Sequence, residues 1–258
     1  MISAFFHTVF YNPIYNALVT LVAVVPGNDV GIAVVVVTIV IRLILLPFSL
    51  SAARTQRAMK ILEPKLKELK EIHKGNKEQE AKETLALYRD AKVNPFASIL
   101  MVFIQLPLLL ALYWVFRNEP FSAINTARLY ALTPLPHAIS LEFLGFISVA
   151  GKSLVLAILA GATQFFQAHL ALSGTMKPSA EKGLQNDFQR VMGMQMKYVF
   201  PFVIGMISYT TSGAIALYFI TTNLAGAAQE WYVRRKLGAP ATFADALIRS
   251  QDLTHPTS

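Results

Sequence analysis

Side chains that perform nucleophilic, acid–base or metal chemistry are sparse in this chain of 258 residues. The absence of cysteine excludes a thiol nucleophile, a disulfide and a cysteine-ligated metal centre. No two of its histidines are four residues apart, as a helical zinc motif requires; they are His7, His73, His137, His169 and His255. We therefore predict a protein that is not an enzyme and that needs no metal and no cofactor.

One charged side chain, Arg42, interrupts a long apolar stretch. Residues 30–50 contain no other Asp, Glu, Lys or Arg, and Arg42 is two residues past their midpoint, about 3 Å along a helix. An arginine so deep in a bilayer costs about 2.5–3.5 kcal/mol on insertion scales, so it needs polar surroundings. We expect Arg42 to face a hydrophilic groove that receives negatively charged groups. The alternative is that Arg42 only holds a helix bundle together through neighbouring carbonyls.

Polar side chains in the same and other apolar stretches can line that groove. Thr38 precedes Arg42 by one helical turn, Gln105 lies in a second stretch, and Gln164 and Gln167 lie in a third. Taken singly, each of these side chains fits hydrogen bonding between membrane helices. The nearest carboxylates fall near the ends of the predicted spans, so the sequence offers Arg42 no acidic partner at its own depth.

Long uncharged stretches predict the fold class. Hydrophobic residues make up 54% of the chain and charged residues only 15%, which does not suit an ordinary soluble domain. Residues 93–116, 153–176 and 198–229 carry no charge, and a membrane-crossing helix needs about 20 residues. The last stretch accommodates two short helices that turn near residues 209–213. With residues 30–50, these stretches predict an all-α, polytopic protein with five transmembrane helices.

The distribution of basic residues predicts the orientation of these helices. Residues 54–92 carry 11 Lys and Arg, residues 177–197 carry four, and four more follow residue 233. Residues 117–152 carry three, and no basic residue precedes Asp29. Because basic segments stay on the cytoplasmic side, we predict an external N-terminus and a cytoplasmic C-terminus.

The charged segment after the first span has its own helical pattern. It contains 11 basic and seven acidic residues, with apolar residues at helical spacing and a stop at Gly75-Asn76. We predict a cytoplasmic αα-hairpin. It serves either as a solvated spacer or as a docking element for incoming chains, lipid headgroups or ribosomal RNA.

Together these patterns divide the chain into nine segments. The first is an outer-surface amphipathic helix, for which a sixth span or an atypical signal sequence is the alternative. The predicted order is an outer-surface segment 1–28, first span 29–51, cytoplasmic hairpin 52–93, second span 94–117, external loop 118–152, third span 153–172, cytoplasmic loop 173–197, two-helix hairpin of the fourth and fifth spans 198–232, and cytoplasmic tail 233–258.

Short motifs that follow one another along residues 8–236 resemble the YidC family of membrane protein insertases, in its short bacterial form without a large periplasmic domain. One departure is Thr211, where the family often has a proline before Ser-Gly. The motifs are Tyr11-Asn-Pro-Ile-Tyr15, Thr38-Ile-Val-Ile-Arg42-Leu-Ile-Leu-Leu-Pro47, Asn94-Pro95, Gln105-Leu-Pro107-Leu-Leu-Leu-Ala-Leu-Tyr113, Gly161-Ala-Thr-Gln-Phe-Phe166 and Ser212-Gly-Ala-Ile-Ala-Leu-Tyr218-Phe-Ile-Thr-Thr-Asn223-Leu.

This resemblance implies a protein of the bacterial cell membrane that inserts the transmembrane helices of newly made proteins without ATP hydrolysis. It implies a groove open to cytoplasm and lipid and closed outside, with Arg42 within it and Gln105, Gln164 or Gln167 in support. It also implies a surface along which substrates slide, formed by Leu109, Tyr218 and Phe219. The implied partners are nascent membrane proteins and the lipid bilayer, with the Sec translocon and the ribosome as further candidates; DNA is not among them.

Two other classes of function fit an arginine within the membrane. A small transporter or channel could bind an anionic solute there, but such proteins usually contain an inverted repeat. We find no repeat between the halves of this sequence, and five spans do not divide evenly. The third class is a scaffold that only assembles partners.

Overall fold

The computed structural model describes residues 2–91, 96–119, 121, 123–173 and 193–237. They are mostly helical, so the prediction of an all-α protein is confirmed. The elements are α1 Ile2–Phe6, a π-helical turn His7–Tyr11, α2 Asn12–Val24, a 3-10 turn Pro26–Asn28, α3 Val30–Ile44, α4 Leu46–Ile72, α5 Lys77–Asp90, α6 Phe96–Asn118, a 3-10 turn Thr126–Arg128, β1 Glu142–Phe143, β2 Ile147–Ser148, α7 Leu154–Ser173, a π-helical turn Gln195–Val199, α8 Phe200–Thr210 and α9 Gly213–Leu237.

Prolines account for the main irregularities of the helices. Each of the two π-helical turns ends two residues before a proline, Pro13 or Pro201. Because proline lacks a backbone N–H and its ring crowds the preceding turn, the helix widens there. Pro47 lies near a different irregularity, a break in the helix at Leu45, which separates α3 from α4. Helix α4 begins after this break and continues past residue 51, where the sequence predicted the first span to end.

The chain forms two compact units. The first comprises Met1–Leu45, Ile104–Leu172 and Pro178–Ala227. Its core combines one face of α2, including Tyr15, Leu18 and Val22, with side chains of α3, α6 and α9. These α2 residues recur every three or four positions, which is the spacing of a single helical face. Elsewhere on the N-terminal segment Val24 and Phe5 are exposed, so apolar side chains are not confined to the core-facing side. The amphipathic outer-surface helix stays a prediction.

Glycines let α7 and α8 approach closely within this unit. A methyl group on Gly161 would lie 3.1 Å from the carbonyl oxygen of Pro201, and one on Gly205 would lie 3.4 Å from that of Ala157. Small residues at such contacts are typical of helices packed in a membrane, where backbones meet directly. On their other sides the two helices expose large apolar side chains such as Ile158 and Phe202.

Among the described residues, one helix is by itself long and apolar enough to cross a membrane, Leu154–Leu172 in α7. The segments Val30–Ile44 and Leu46–Thr55 satisfy the same test as a pair, despite the break between them. The helix Phe103–Asn118 is apolar but shorter.

The second unit contains α4, α5 and the last part of α9. The Asn76 side chain accepts a hydrogen bond from Gln79 N and caps the start of α5. Next to this turn, His73 Nε2 lies 2.7 Å from Glu83 Oε2 and links the end of α4 to α5. The two helices are thus joined at this turn, and their assignment as a cytoplasmic hairpin stays a prediction. Most of the predicted loop 173–197 and residues 238–258 of the predicted tail lie outside the described residues, as do residues 92–95.

Candidate functional site: a polar pocket around Arg42

Arg42 lies in a pocket built by three helices of the first unit. Helix α3 contributes Thr38 and Ile41 as well, α6 contributes Gln105 and Leu108, and α9 contributes Tyr218 and Thr222. Thr38 and Tyr218 are almost completely buried, at 1% and 2% exposure. Four of the residues singled out from the sequence therefore converge here: Thr38, Arg42, Gln105 and Tyr218.

Hydrogen bonds orient three of the uncharged polar side chains of the pocket, those of Thr38, Gln105 and Tyr218. The Gln105 side-chain amide donates to the hydroxyl of Tyr218 and so joins α6 to α9. The Thr38 hydroxyl donates to the carbonyl oxygen of Val34, 2.6 Å away, within its own helix. Each of these three side chains is thereby held in one orientation, and none of them adds a charge to the pocket.

Arg42 supplies the only formal charge among the described residues of the pocket lining. Its side chain is half-buried, and none of the ion pairs found in the described part of the chain includes it. The pocket is narrow and leaves essentially no room for a water molecule (about 0 Å³). A guanidinium there presents rigid, planar donors that match a carboxylate, and its low-dielectric surroundings strengthen any such pairing.

Gln164 and Gln167 of α7 do not line the pocket. The Gln167 side chain is pressed against Gly226 of α9, since a methyl group on Gly226 would lie 2.4 Å from Gln167 Nε2. One turn earlier, Asn223 Nδ2 lies 3.2 Å from the Thr163 hydroxyl. Gln164 is half-buried and is not part of the pocket. Support of Arg42 by Gln164 or Gln167 stays a prediction.

The residues expected to guide substrates differ in exposure. Tyr218 lines the pocket, Leu109 is partly buried against the core, and Phe219 is 7% exposed within the core. Among the exposed apolar side chains of α6 are Leu106 and Leu110, which lie on either side of Leu109 in sequence. The sliding surface therefore also stays a prediction.

The first unit also contains a buried polar network that the sequence patterns do not predict. The Tyr11 hydroxyl donates to Glu119 Oε1 at 3.0 Å, and Arg128 Nε lies 2.8 Å from the same oxygen. Burial, together with the hydrogen bond to Glu119, raises the pKa of Tyr11 to about 12. The network joins residues 108 positions apart, so no local pattern reveals it; the signal in the sequence is a carboxylate directly after an apolar helix.

These features define a class of protein: a helical membrane protein with large apolar side chains on its outside and a single arginine in an internal polar pocket. Residues 21–239 match the family described as "60Kd inner membrane protein". The chain belongs to this family.

Curated relatives of the chain carry the name membrane protein insertase YidC. The protein of Fusobacterium nucleatum is 30% identical over 210 residues, which cover 81% of this chain and 88% of the relative. That of Clostridium tetani is 29% identical over 200 residues, covering 77% and 79%. The relative from Ectopseudomonas mendocina is 28% identical over 216 residues, but the match spans 84% of this chain and only 32% of that longer protein.

Proposed function

We propose that this protein is an insertase of the bacterial cell membrane, which moves transmembrane helices of newly made proteins into the bilayer without ATP hydrolysis. Its family and the names of its relatives support this function. The observation that carries the mechanism is the half-buried Arg42 in a lining of neutral hydroxyl and amide groups, without an ion pair in the described chain.

The electrostatics of the pocket suggest how a polar segment begins to cross. An acidic group that enters the membrane loses its hydration, which costs several kcal/mol unless a partner replaces the water. The guanidinium of Arg42 offers such a partner part-way through the bilayer, and the pocket opens to accept it. The substrate's apolar helix then leaves along α6 and α9 into lipid, and its transfer draws the polar part across.

The membrane potential assists this step for acidic segments. Moving one negative charge outward is favoured by about 2.3 kcal/mol per 100 mV. This contribution and the burial of the substrate helix make a nucleotide unnecessary.

The proposed topology has five spans, an external N-terminus and a cytoplasmic C-terminus. In this arrangement α1 and α2 lie at the outer surface, α4 and α5 form the cytoplasmic hairpin, and residues 118–152 are external. The exposed apolar side chains of α7 and α8 support their assignment as spans, because such surfaces are stable in lipid rather than in water, and the distribution of basic residues supports the orientation. Substrate guidance by Leu109, Tyr218 and Phe219, and contacts with the Sec translocon or the ribosome, belong to the same proposal.

Reconstitution of the purified protein tests the function. Proteoliposomes receive a single-span substrate with an acidic external tail, and protection of that tail from added protease measures insertion in the absence of ATP. We expect protection with the wild-type protein and a large loss with Arg42→Ala. The matched control is Arg117→Ala, since Arg117 is an exposed arginine that bonds to Tyr113 at the end of α6. Solute flux without insertion would instead identify a transporter and contradict the proposal.

A further inference from the structure

Two turns between α6 and α7 share an unusual construction. In the first, Thr133 N donates to Tyr130 O at 3.0 Å, and the Asn16 side chain holds the turn from beneath. Asn16 Oδ1 accepts hydrogen bonds from Tyr130 N and from the Thr133 hydroxyl, both at 2.7 Å, and Asn16 itself is 3% exposed. The tip of this turn is Leu132, whose exposure of 95% is the highest among the described large apolar residues.

The second turn joins β1 to β2 and repeats this arrangement. Asp29, 5% exposed, accepts a hydrogen bond from Leu144 N at 2.7 Å. The tip contains Leu144 and Gly145, both at positive φ (55° and 81°). A leucine rarely adopts this left-handed conformation, which favours glycine or asparagine. Leu144 is nevertheless 56% exposed, and Phe146 beside it is 72% exposed.

The chemistry of both tips is opposite to that of turns in water. Water-exposed turns are rich in Gly, Asn, Asp and Ser. Here the polar groups are satisfied from inside by Asn16 and Asp29, and the side chains left outside are apolar. Residues 129–141, which include the first tip, and residues 143–151, which include the second, carry no Asp, Glu, Lys or Arg; the exposed Glu142 lies between the two ranges. An open cleft of about 500 Å³ beside the first turn is also lined without charge, by Pro13, Asn16, Ala17, Thr20, Tyr130, Ala131, Leu132 and Thr133.

We propose that the two turns, residues 130–133 and 143–146, embed in the interface of the outer leaflet and anchor the external segment to the membrane. The bilayer is the occupant that fits, because the segment starts and ends at helices with apolar outer surfaces and because uncharged tips enter lipid without recognising particular headgroups. The inference rests on the proposed topology, in which residues 118–152 are external.

The cysteine-free chain permits a direct test in proteoliposomes. Leu132→Cys and Leu144→Cys each carry an environment-sensitive fluorophore, and Ala127→Cys, an exposed position next to Arg128, is the matched control. Nitroxide-labelled lipids should quench the probes at 132 and 144 several-fold more strongly than the probe at 127, and aqueous iodide should show the reverse order. The result should be the same in zwitterionic and anionic vesicles. Equal lipid quenching at all three positions would overturn the proposal.

Labelling and quenching measurements distinguish a failure of the proposed anchor from a failure of the proposed topology. In whole cells, a membrane-impermeant maleimide should label Ala127→Cys from outside; if it labels only after lysis, both topology and anchor are wrong. If position 127 is labelled from outside and position 132 is open to iodide, the topology stands and the anchor is wrong. Protection of position 132 from iodide only after substrate is added would mean that the turn docks protein, which also overturns the bilayer anchor.

Discussion

The side-chain amide of Gln105 donates a hydrogen bond to the hydroxyl of Tyr218, 113 residues further along the chain. The bond connects α6 and α9 across the pocket that contains Arg42. The bond fixes two walls of the pocket relative to each other. Because both of its partners are neutral, the Arg42 guanidinium remains the only formal charge of the described lining. The described lining of the pocket is therefore polar and contains no counterion for Arg42, and the closed pocket has to open before an anionic group can reach the guanidinium.

The contribution of this hydrogen bond to stability can be measured by replacing its two partners singly and together. We expect Gln105→Leu and Tyr218→Phe to be coupled by about 1 kcal/mol in the free energy of unfolding, since hydrogen bonds between membrane helices contribute about 0.6–2 kcal/mol. Denaturant unfolding of both single variants and the double variant measures the coupling. Combining Gln105→Leu with Asn76→Ala, which affects the cap of α5 in the other unit, should be additive. Additivity of the first pair as well would show that the bond contributes nothing.

The charge of Arg42, rather than the shape of its side chain, should determine which substrates it helps. Arg42→Gln should slow insertion of a substrate with an acidic external tail by about tenfold, equivalent to about 1.4 kcal/mol, and leave a neutral-tailed version nearly unchanged. Arg42→Lys retains the charge and should retain most of the rate. The measurement is the initial rate of protease protection for each matched pair of substrates. If lysine fails as badly as glutamine, planar guanidinium geometry matters rather than charge.

The residue types in the sequence predict which polar side chains avoid lipid better than they predict which face of each helix points toward the pocket. Arg42, Gln105 and Tyr218 are polar residues in apolar stretches, and such groups avoid lipid whatever the details of packing. Gln164 and Gln167 are equally polar, but one residue of difference rotates a side chain by about 100° around a helix. Packing against Gly226 decides the position of Gln167, and that contact depends on residues far along the chain.

Helix breaks are partly readable and long-range polar contacts are not. Pro47 is a visible signal for the break at Leu45, although a run of apolar residues on both sides suggests one continuous span. Glu119 reads as a solvent-exposed helix end. In the fold it is buried against Tyr11 and Arg128, one earlier and one later in the sequence, which both contact its carboxylate.

Removing the carboxylate of this buried network should destabilise the first unit. Glu119→Ala leaves the Tyr11 hydroxyl without its acceptor and Arg128 without its counterion, so we expect a loss of about 1.5–3 kcal/mol in the free energy of unfolding. Tyr11→Phe removes one donor and should cost about 1 kcal/mol. Unfolding in detergent measures both. Glu71→Ala is the control, because Glu71 pairs with Lys74 on the surface of the hairpin and should matter by less than about 0.5 kcal/mol. Equal losses for Glu119→Ala and Glu71→Ala would contradict the role of burial.

The turn between α4 and α5 should loosen in acid. Hydrogen bonds from Gln79 and His73 hold the pKa of Glu83 below its ordinary value of 4.5. A lowered pKa means that this contribution to stability is present above pH 4.5 and is lost as the pH falls through the folded-state value. Spin labels on Lys70→Cys and Ala81→Cys should therefore show a broader distance distribution at a pH well below 4.5 than at pH 7. In a Glu83→Gln background the difference between the two pH values should shrink; a difference of unchanged size would assign the loosening to other groups.

Gly213, at the start of α9, packs directly against the backbone of the segment before α7, so a larger residue there should destabilise the protein. Gly213 N donates to Gly151 O at 2.9 Å, and a methyl group on Gly213 would lie 2.7 Å from the carbonyl oxygen of Ser148 and 2.9 Å from the Cα of Val149. Both obstacles are backbone atoms, so no side-chain rotation relieves the clash. Gly213→Ala should therefore cost about 1–3 kcal/mol in the free energy of unfolding and displace the start of α9, the helix that carries Tyr218.

Gly151→Ala is the matched control, because nothing lies within 4 Å of a methyl group at that position. It should be neutral or slightly stabilising, since alanine restricts the unfolded chain more than glycine does. Unfolding of both variants in detergent compares stability, and the insertion rate reports whether the pocket is still assembled. If Gly213→Ala unfolds like wild type while insertion falls, the glycine is needed for movement of α9 rather than for close packing. If both properties are unchanged, the contact seen between Gly213 and Ser148 is not required for the fold.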